Sequence, residues 1–311
     1  MADSRRVVFA GTPDFARAVL ERLLGGPEVV VGVITQPDRP SGRGRKLQAS
    51  PVKQVAESAR IPLIQPQSAR DPETLAWLRD LRPDLLVVVA YGQILPQSLL
   101  EVPRLGAVNV HASLLPLWRG AAPIARSLAA GDAETGICIM QMEAGLDCGP
   151  VLWRRRTPIL SVDTAGSLHD RLAGLGAEAL REALDRLWEG ALVPEPQEHA
   201  LATYAMKLSK DEARMDWRRP AESAGRLVRA YNPYPVAHTQ FREQPLRIWE
   251  ARVDRRCGDP GTMVALDPEG PVVACGEGSL VLLLVQPAGK AKITGSEFLR
   301  GYRPTVGETF G

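Results

Sequence analysis

Cysteine is scarce and scattered: Cys138, Cys148, Cys257 and Cys275 stand far apart, and no Cys-x-x-Cys pair occurs. That spacing excludes a dense disulfide framework and a zinc-ligand pattern, so the thiols read as reduced cysteines of a cytosolic enzyme. No apolar run approaches the ~20 residues needed to span a bilayer. The longest candidates, Leu85–Tyr91 and Leu280–Val285, have strand lengths. Met1 to Arg6 leads straight into the apolar Val7–Ala10 without the pattern of a secretory signal. The expected location is therefore the cytoplasm, with no membrane partner. Neither sign of charge dominates: 38 basic residues face 36 acidic ones, a net charge of +2. The whole-chain balance thus does not announce a nucleic-acid binder. Internal repeats and low-complexity segments are also missing.

What is present is enough chain, 311 residues, for two domains with a core each. Apolar residues make up 45% and charged residues 24%, the balance of a globular protein. The first half alternates apolar runs with helix-like stretches. Strands are expected at Arg6–Ala10, Val29–Gln36, Leu85–Ala90, Ala107–Ala112 and Thr135–Met142. Helices are expected at Phe15–Leu24, Pro51–Ala59, Asp71–Leu81 and Ala121–Ala130. This alternation predicts an open, mostly parallel α/β sheet with helices on both faces, a Rossmann-like class whose sites gather at strand carboxyl ends. A long helix follows at Thr164–Glu189, then a connector around Val193–Gln197 where two prolines break helices.

Beyond about residue 208 the texture changes to short strands separated by Gly and Pro, at Leu246–Val253, Gly261–Leu266, Pro271–Cys275 and Ser279–Gln286. One helix is expected there, at Ala221–Tyr231. That pattern suits a small β-barrel. The expected division is a catalytic domain over 1–190, a linker over 191–207 and a C-terminal barrel over 208–311.

The stretch Asn109-Val110-His111-Ala112-Ser113-Leu114-Leu115-Pro116 carries the most chemistry. In a strand, Asn109 and His111 are two apart and project from one face, with Val108 and Val110 on the other. An amide donor beside an imidazole at a strand end can support acyl transfer, Asn holding an oxyanion and His moving protons. A hydrogen-bonded core histidine with a turn-forming Asn is the alternative. Asp147, in the Gly-bracketed loop Gly145-Leu146-Asp147-Cys148-Gly149, is a carboxylate that could orient His111. It could equally be an ordinary turn aspartate. Gly11-Thr12-Pro13 after the first strand lacks the further glycines of a dinucleotide fingerprint, which argues against a nicotinamide cofactor.

Charge is uneven locally. From Asp38 to Lys53 there are five basic residues and one acidic, in a Gly- and Pro-containing stretch expected to be a flexible surface loop without helix or strand. Such a loop suits phosphate contact, or is simply a solvated charged segment. Lys207 to Arg256 holds twelve basic and seven acidic residues, while residues 1–204 hold twenty-two and twenty-three. A barrel with excess positive charge could bind RNA.

Together these segments resemble the formyltetrahydrofolate-dependent formyltransferase family, whose signature is Asn-x-His, then Ser-Leu-Leu-Pro, then an Asp in a Gly-x-Asp-x-Gly loop. Asn109, His111, Ser113–Pro116 and Gly145–Gly149 supply every element. The likeness extends over almost the whole chain, including Phe9–Phe15, Thr35–Pro40, Val88–Gly92, Trp118–Ile124, Gly131–Gly136, Thr203–Ala205, Lys207–Lys210, Tyr231–Pro233 and Gln286–Lys290. It narrows to the members that act on charged initiator tRNA. Small departures are Ala112, where many members have Gly, Leu117, where many have a basic residue, and Cys148 inside the Asp loop.

The resemblance implies formyl transfer from 10-formyltetrahydrofolate, as co-substrate, to the α-amino group of methionyl initiator tRNA, without a metal. It implies Asn109, His111 and Asp147 as the catalytic set. Ser113, Leu114, Leu115 and Pro116, with Val89, Tyr91 and Gln93, would shape the folate pocket. Arg43, supported by Arg45 and Lys46, would meet the acceptor end of the tRNA, and the tail would be an oligonucleotide-binding-like barrel. A monomer is expected. The rivals are a formyltransferase with a small acceptor (an amino sugar nucleotide or glycinamide ribonucleotide), a non-catalytic RNA-binding protein on an enzyme scaffold, and a hydrolase releasing formate.

Overall fold

The computed structural model describes residues 5–41 and 46–311, the side chains of Ser41 and Lys46 excepted. These residues fall into two compact units. The first lies within Met1–Gly120, Glu134–Thr157 and His169–Tyr204, the second within Ala121–Ala133, Pro158–Leu168 and Ala205–Gly311.

In chain order the first stretch gives β1 (Arg6–Gly11), α1 (Asp14–Leu24), β2 (Val29–Ile34), β3 (Arg39–Ser41), β4 (Lys46–Gln48), α2 (Pro51–Ser58), β5 (Leu63–Ile64), α3 (Pro72–Asp80), β6 (Leu85–Val89), α4 (Gln97–Leu100), β7 (Ala107–His111) and β8 (Arg119–Gly120). After α5 (Pro123–Ala130), which belongs to the second unit, come β9 (Glu134–Gln141), β10 (Val151–Pro158), α6 (Ala165–Trp188) and the short β11 (Tyr204–Ala205).

Seven of these strands form one sheet among the described residues, in the order β10-β9-β7-β6-β1-β2-β5. The pairs β1·β2, β1·β6, β6·β7 and β2·β5 are parallel. β6 reads Leu-Leu-Val-Val-Val and is buried at every residue, as a strand covered on both faces must be. Its neighbours Val8 and Ala10 of β1 share a core with Ile34, Leu78 and Leu99. β9 runs antiparallel to β7, with Val108 opposite Gln141 and His111 opposite Cys138. β10 beyond it was not anticipated, because Val151-Leu152-Trp153-Arg154-Arg155-Arg156 carries three arginines. They are tolerated because Arg155 and Arg156 pair with Glu182 and Glu134, and Arg154 with Glu195.

The expected strand-free basic loop is corrected at its flanks. β3 and β4 pair antiparallel, Arg39 opposite Gln48 and Pro40 opposite Leu47. A two-stranded pair leaves one side of each strand without a ladder partner, and Pro40 can sit there without a lost hydrogen bond. The base of the pair is anchored. Lys53 Nζ and Gln65 Nε2 each donate to the Asp38 carboxylate at 2.7 Å, which holds that carboxyl below the usual range.

The second unit adds α7 (Ala221–Ala230), β12 (Ala237–Phe241), β13 (Gln244–Asp254), β14 (Met263–Asp267), β15 (Gly270–Ala274), β16 (Ser279–Pro287), β17 (Ile293–Thr294) and α8 (Gly295–Tyr302). The sheet order is β12-β13-β16-β15-β14, with β17 on β16 and every assigned pair antiparallel. Its two outer strands are joined by a segment no sequence pattern marked. Phe310 bridges Phe241 beside β12, and Thr309 bridges Thr262 just before β14. Closing the edges in this way makes the sheet a barrel and removes exposed strand edges.

The Phe310 ring lies inside that closure, 4.9 Å from the Phe241 centroid and 6.5 Å from Phe298, and is 1% exposed. Phe310→Ala removes the buried ring that packs inside the edge clamp and leaves the backbone bridge without that packing. It is expected to cost about 3–5 kcal/mol, read in urea unfolding of the full chain. Unchanged unfolding would mean the barrel closes without it.

Candidate active site

Parallel strands β1, β6 and β7 all end on one edge of the sheet, and the strand order reverses between β1 and β6. Thr12, just past β1, donates its hydroxyl to the Tyr91 carbonyl just past β6 at 2.9 Å, stitching the two strand ends together. The Asn-x-His pair occupies the end of the adjacent β7. Asn109 is half-buried, and its carboxamide makes no side-chain hydrogen bond among the described residues, so it is available to a ligand. His111 is 5% exposed.

The structure brings His111 and Asp147 together. Nδ1 of the imidazole is 3.6 Å from Oδ2 of the carboxylate. The other ring nitrogen, Nε2, is 3.0 Å from the Trp118 carbonyl. A carbonyl only accepts, so Nε2 carries a proton, and any second proton sits on Nδ1 facing Asp147. The approach joins residues 36 apart in sequence.

Asp147 has φ of 49°, a left-handed conformation that side chains adopt at a cost of roughly 1–3 kcal/mol. Three features hold it there. The Gly120 backbone N–H donates to its carboxylate at 2.7 Å. Gly145 has φ of 137°, which only glycine adopts without strain. At Gly149 a Cβ would meet the Gln141 carbonyl oxygen at 2.0 Å, so only glycine allows the loop to close onto β9.

Sequence reading missed the rest of the shell. Gln197, in the stretch read as a mere connector, is 6% exposed and donates Nε2 to the Asp147 carbonyl at 2.9 Å and to the Gly149 carbonyl at 2.7 Å. Arg119, 3% exposed, donates Nε and Nη2 to Gln197 Oε1 at 3.1 and 2.7 Å, and Nη2 lies 3.2 Å from His199 Nδ1. No periodicity marks these residues; a glutamine between two prolines and a histidine gives no pattern to read.

The residues expected to shape a folate pocket lie at or just past the ends of β6 and β7. Ser113 is fully buried and donates Oγ to the Leu117 carbonyl at 2.6 Å, so its hydroxyl fixes the Ser-Leu-Leu-Pro turn. Leu115 packs with Cys138, Met140 and Val151, while Leu114 and Pro116 are half-buried. Burial pushes the Cys138 thiol up to about 11. Gln93 accepts from the Ala69 N–H at 2.6 Å and faces the Pro66 and Gln67 carbonyls at 3.3 Å. Val89 is buried at the end of β6. Tyr91 is 2% exposed and its hydroxyl has no hydrogen-bond partner among the described residues. Burial, with the Asp71 charge, pushes that phenol up to about 12. Arg43 and Arg45, and the Lys46 side chain, lie outside the described residues.

With this geometry in place, comparison with known proteins gives a consistent answer. The formyl transferase family matches residues 4–184, and the formyl transferase C-terminal domain matches residues 207–303. The chain belongs to the formyl transferase family. Within it, the Methionyl-tRNA formyltransferase of Acidithiobacillus ferrooxidans (strain ATCC 53993 / BNL-5-31) is 63% identical over 313 residues, covering 100% of both chains. Among solved structures, an N-formyltransferase from Helicobacter canadensis in complex with folinic acid and dTDP-3-aminofucose has TM-score 0.69 at 15% identity, covering 92% of this chain and 100% of that one. HypX from Aquifex aeolicus in complex with tetrahydrofolic acid has TM-score 0.65 at 17% identity, covering 98% of this chain and 48% of that one. At those identities the structural likeness speaks to fold alone.

A buried hydroxyl without a partner costs about 1–3 kcal/mol. Tyr91→Phe is therefore expected to leave the calorimetric unfolding temperature at or above that of the wild type. A midpoint several degrees lower would show that the hydroxyl is bonded.

Proposed function

We propose that this protein moves a formyl group from 10-formyltetrahydrofolate to the α-amino group of methionyl initiator tRNA in the cytoplasm, acting as a monomer. The observation that carries the reading is the convergence at the end of β7: an available Asn109 carboxamide two residues before His111, whose Nδ1 lies 3.6 Å from Asp147. The near full-length relative supports the acceptor, and the folate-dependent family supports the donor.

In the proposed reaction the neutral amine nitrogen attacks the formyl carbon and a new C–N bond forms. The formyl oxygen takes up negative charge, and the Asn109 N–H donates to it. His111 exchanges its bond to the Trp118 carbonyl for one to the reacting oxygen, with Asp147 balancing the imidazolium. The bond from the formyl carbon to the donor nitrogen then breaks as the C=O reforms. The proton lost by the attacking amine ends on the leaving nitrogen through His111 and Asp147, giving formylmethionyl-tRNA and tetrahydrofolate. Val89, Tyr91, Gln93 and Ser113–Pro116 contribute shape to the folate wall. For Ser113 and Gln93 this reading rests on their side chains being spent on backbone groups.

Residues 1–190 carry the transfer and residues 208–311 bear on RNA in this reading, which draws on the excess of basic residues from Lys207 to Arg256. Arg43, Arg45 and Lys46 contact phosphates near the acceptor end.

The first test is formylation of charged initiator tRNA, with charged elongator methionine tRNA and free methionine alongside. Rapid formylation of the initiator species alone is the expected result; donor turnover without formylated tRNA would favour a small acceptor or a hydrolase. His111→Ala and Asp147→Asn are each expected to lower kcat by about 10²–10⁴-fold while the fold persists. Near-normal turnover in both would remove the assigned roles. Arg43→Ala is expected to raise KM for the tRNA and to flatten the dependence of log affinity on log salt by about one phosphate contact. An unchanged slope would place Arg43 away from the RNA.

A further inference from the structure

We infer that Gln197 is a positioning residue for formyl transfer: its carboxamide, locked by Arg119, grips the loop that holds Asp147 against His111. The inference rests on the catalytic reading given above and assigns a role to the segment between the two family matches, residues 185–206.

The amide has one orientation. Arg119 only donates, so the atom facing its Nε and Nη2 must be the oxygen, Oε1. Rotating the amide by half a turn would set two donors against each other. The NH₂ group therefore points the other way and gives both its hydrogens to carbonyls, those of Asp147 and Gly149. These two carbonyls flank Cys148, so Gln197 clamps the backbone on both sides of one residue immediately after the carboxylate.

Arg119 is itself immobilised. It is 3% exposed and has no carboxylate within ion-pair distance among the described residues, so its charge is met by Gln197 Oε1 and by His199 Nδ1. Since Arg cannot accept, His199 carries its ring proton on Nε2 when it receives that bond. Arg119 is followed at once by Gly120, whose N–H holds the Asp147 carboxylate, and preceded by Trp118, whose carbonyl holds His111. Three consecutive residues, Trp118 to Gly120, thus support the imidazole, the carboxylate and the glutamine that fixes the carboxylate's backbone. A left-handed aspartate persists only where its surroundings over-determine it. Gly120 fixes the side chain; Gln197 fixes the main chain.

Loss of the Gln197 donors loosens Asp147 without removing any reacting group. Displacement of a catalytic group by about 1 Å can cost on the order of 100-fold in rate. Gln197→Glu keeps an acceptor for Arg119, forming an ion pair that preserves the fold, but replaces the one nitrogen that carries both donors with an oxygen facing the Asp147 and Gly149 carbonyls. Gln197→Met keeps the length and removes all hydrogen bonding. In single-turnover formylation of the full chain, both are expected to slow the chemical step by about 10–100-fold, with KM for each substrate within about twofold of wild type. Introduced on an Asp147→Asn background, either change is expected to add less than about twofold, because residues that act as a unit are not additive.

The outcomes separate the two readings. If Asp147→Asn is crippled but Gln197→Glu and Gln197→Met turn over normally, the positioning role is wrong and the catalytic set stands. If the Gln197 effect multiplies fully on the Asp147→Asn background, or appears in KM alone, Gln197 does not act through Asp147. If Asp147→Asn itself turns over normally, the catalytic reading fails and this inference falls with it. Should Gln197→Met fold poorly by circular dichroism, Gln197→Glu alone decides.

Discussion

The hydrogen-bond ladders on either side of β7 fix Asn109 and His111, on which the proposed reaction depends. On one side β6 runs parallel, pairing Val88 with Asn109; on the other β9 runs antiparallel, pairing Asn109 with Met140 and His111 with Cys138. A strand gripped on both sides cannot slide, and a slip of one residue would turn Asn109 and His111 to the opposite face. β9 returns from the end where β7 finishes, and Gln141 at its end lies opposite Val108, so the loop after β9 has to turn back along β7 to reach His111. Asp147 is in that loop. The bonds that hold this loop, and not the strand order alone, therefore bring a residue 36 positions downstream to face His111.

Magnitudes show why the loop needs more than one support. Holding Asp147 at positive φ costs roughly 1–3 kcal/mol. The charge-assisted bond from Gly120 N–H returns about 1.5–3 kcal/mol, which approximately cancels the strain. The loop conformation is then decided by its remaining contacts, the close approach of Gly149 to β9 and the two bonds from Gln197. Neither touches a reacting atom. The buried phenol of Tyr91 is a different case: its hydroxyl has no partner among the described residues, and the apolar body of the ring does the packing.

Much of this was legible in the chain itself, and the reasons are particular. β6 could be read because seven consecutive apolar residues, Leu85–Tyr91, bounded by Asp84 and Gly92 leave little choice. β7 could be read because alternation of Val with Asn and His puts the polar pair on one face. The antiparallel sense of β9 was not legible, since pairing direction depends on where a connection re-enters the sheet and not on local pattern. β10 was hidden by its three arginines, whose carboxylate partners lie 22 to 41 residues away. The β3–β4 pair was hidden because Pro and Gly suggest only a loop. Arg119 stood only inside the family-like stretch Trp118–Ile124 and Gln197 only inside a connector, with no role legible for either, because a buried polar pair has no period.

The second unit is assembled from three stretches, Ala121–Ala133, Pro158–Leu168 and Ala205–Gly311, interleaved in sequence with the first. Within it α5 packs on α7, Arg126 pairs with Glu212 at 2.7 Å, and the Arg226 guanidinium lies where a Cβ on Gly131 would stand. Shuffling at the apparent junction near residue 207 would therefore not exchange a whole module. A tail acquired from a relative would meet a foreign α5, and residues such as Arg126 and Glu212 would have to change as a pair across 86 positions. Inheritance of the barrel is tied to a helix encoded in the middle of the other unit.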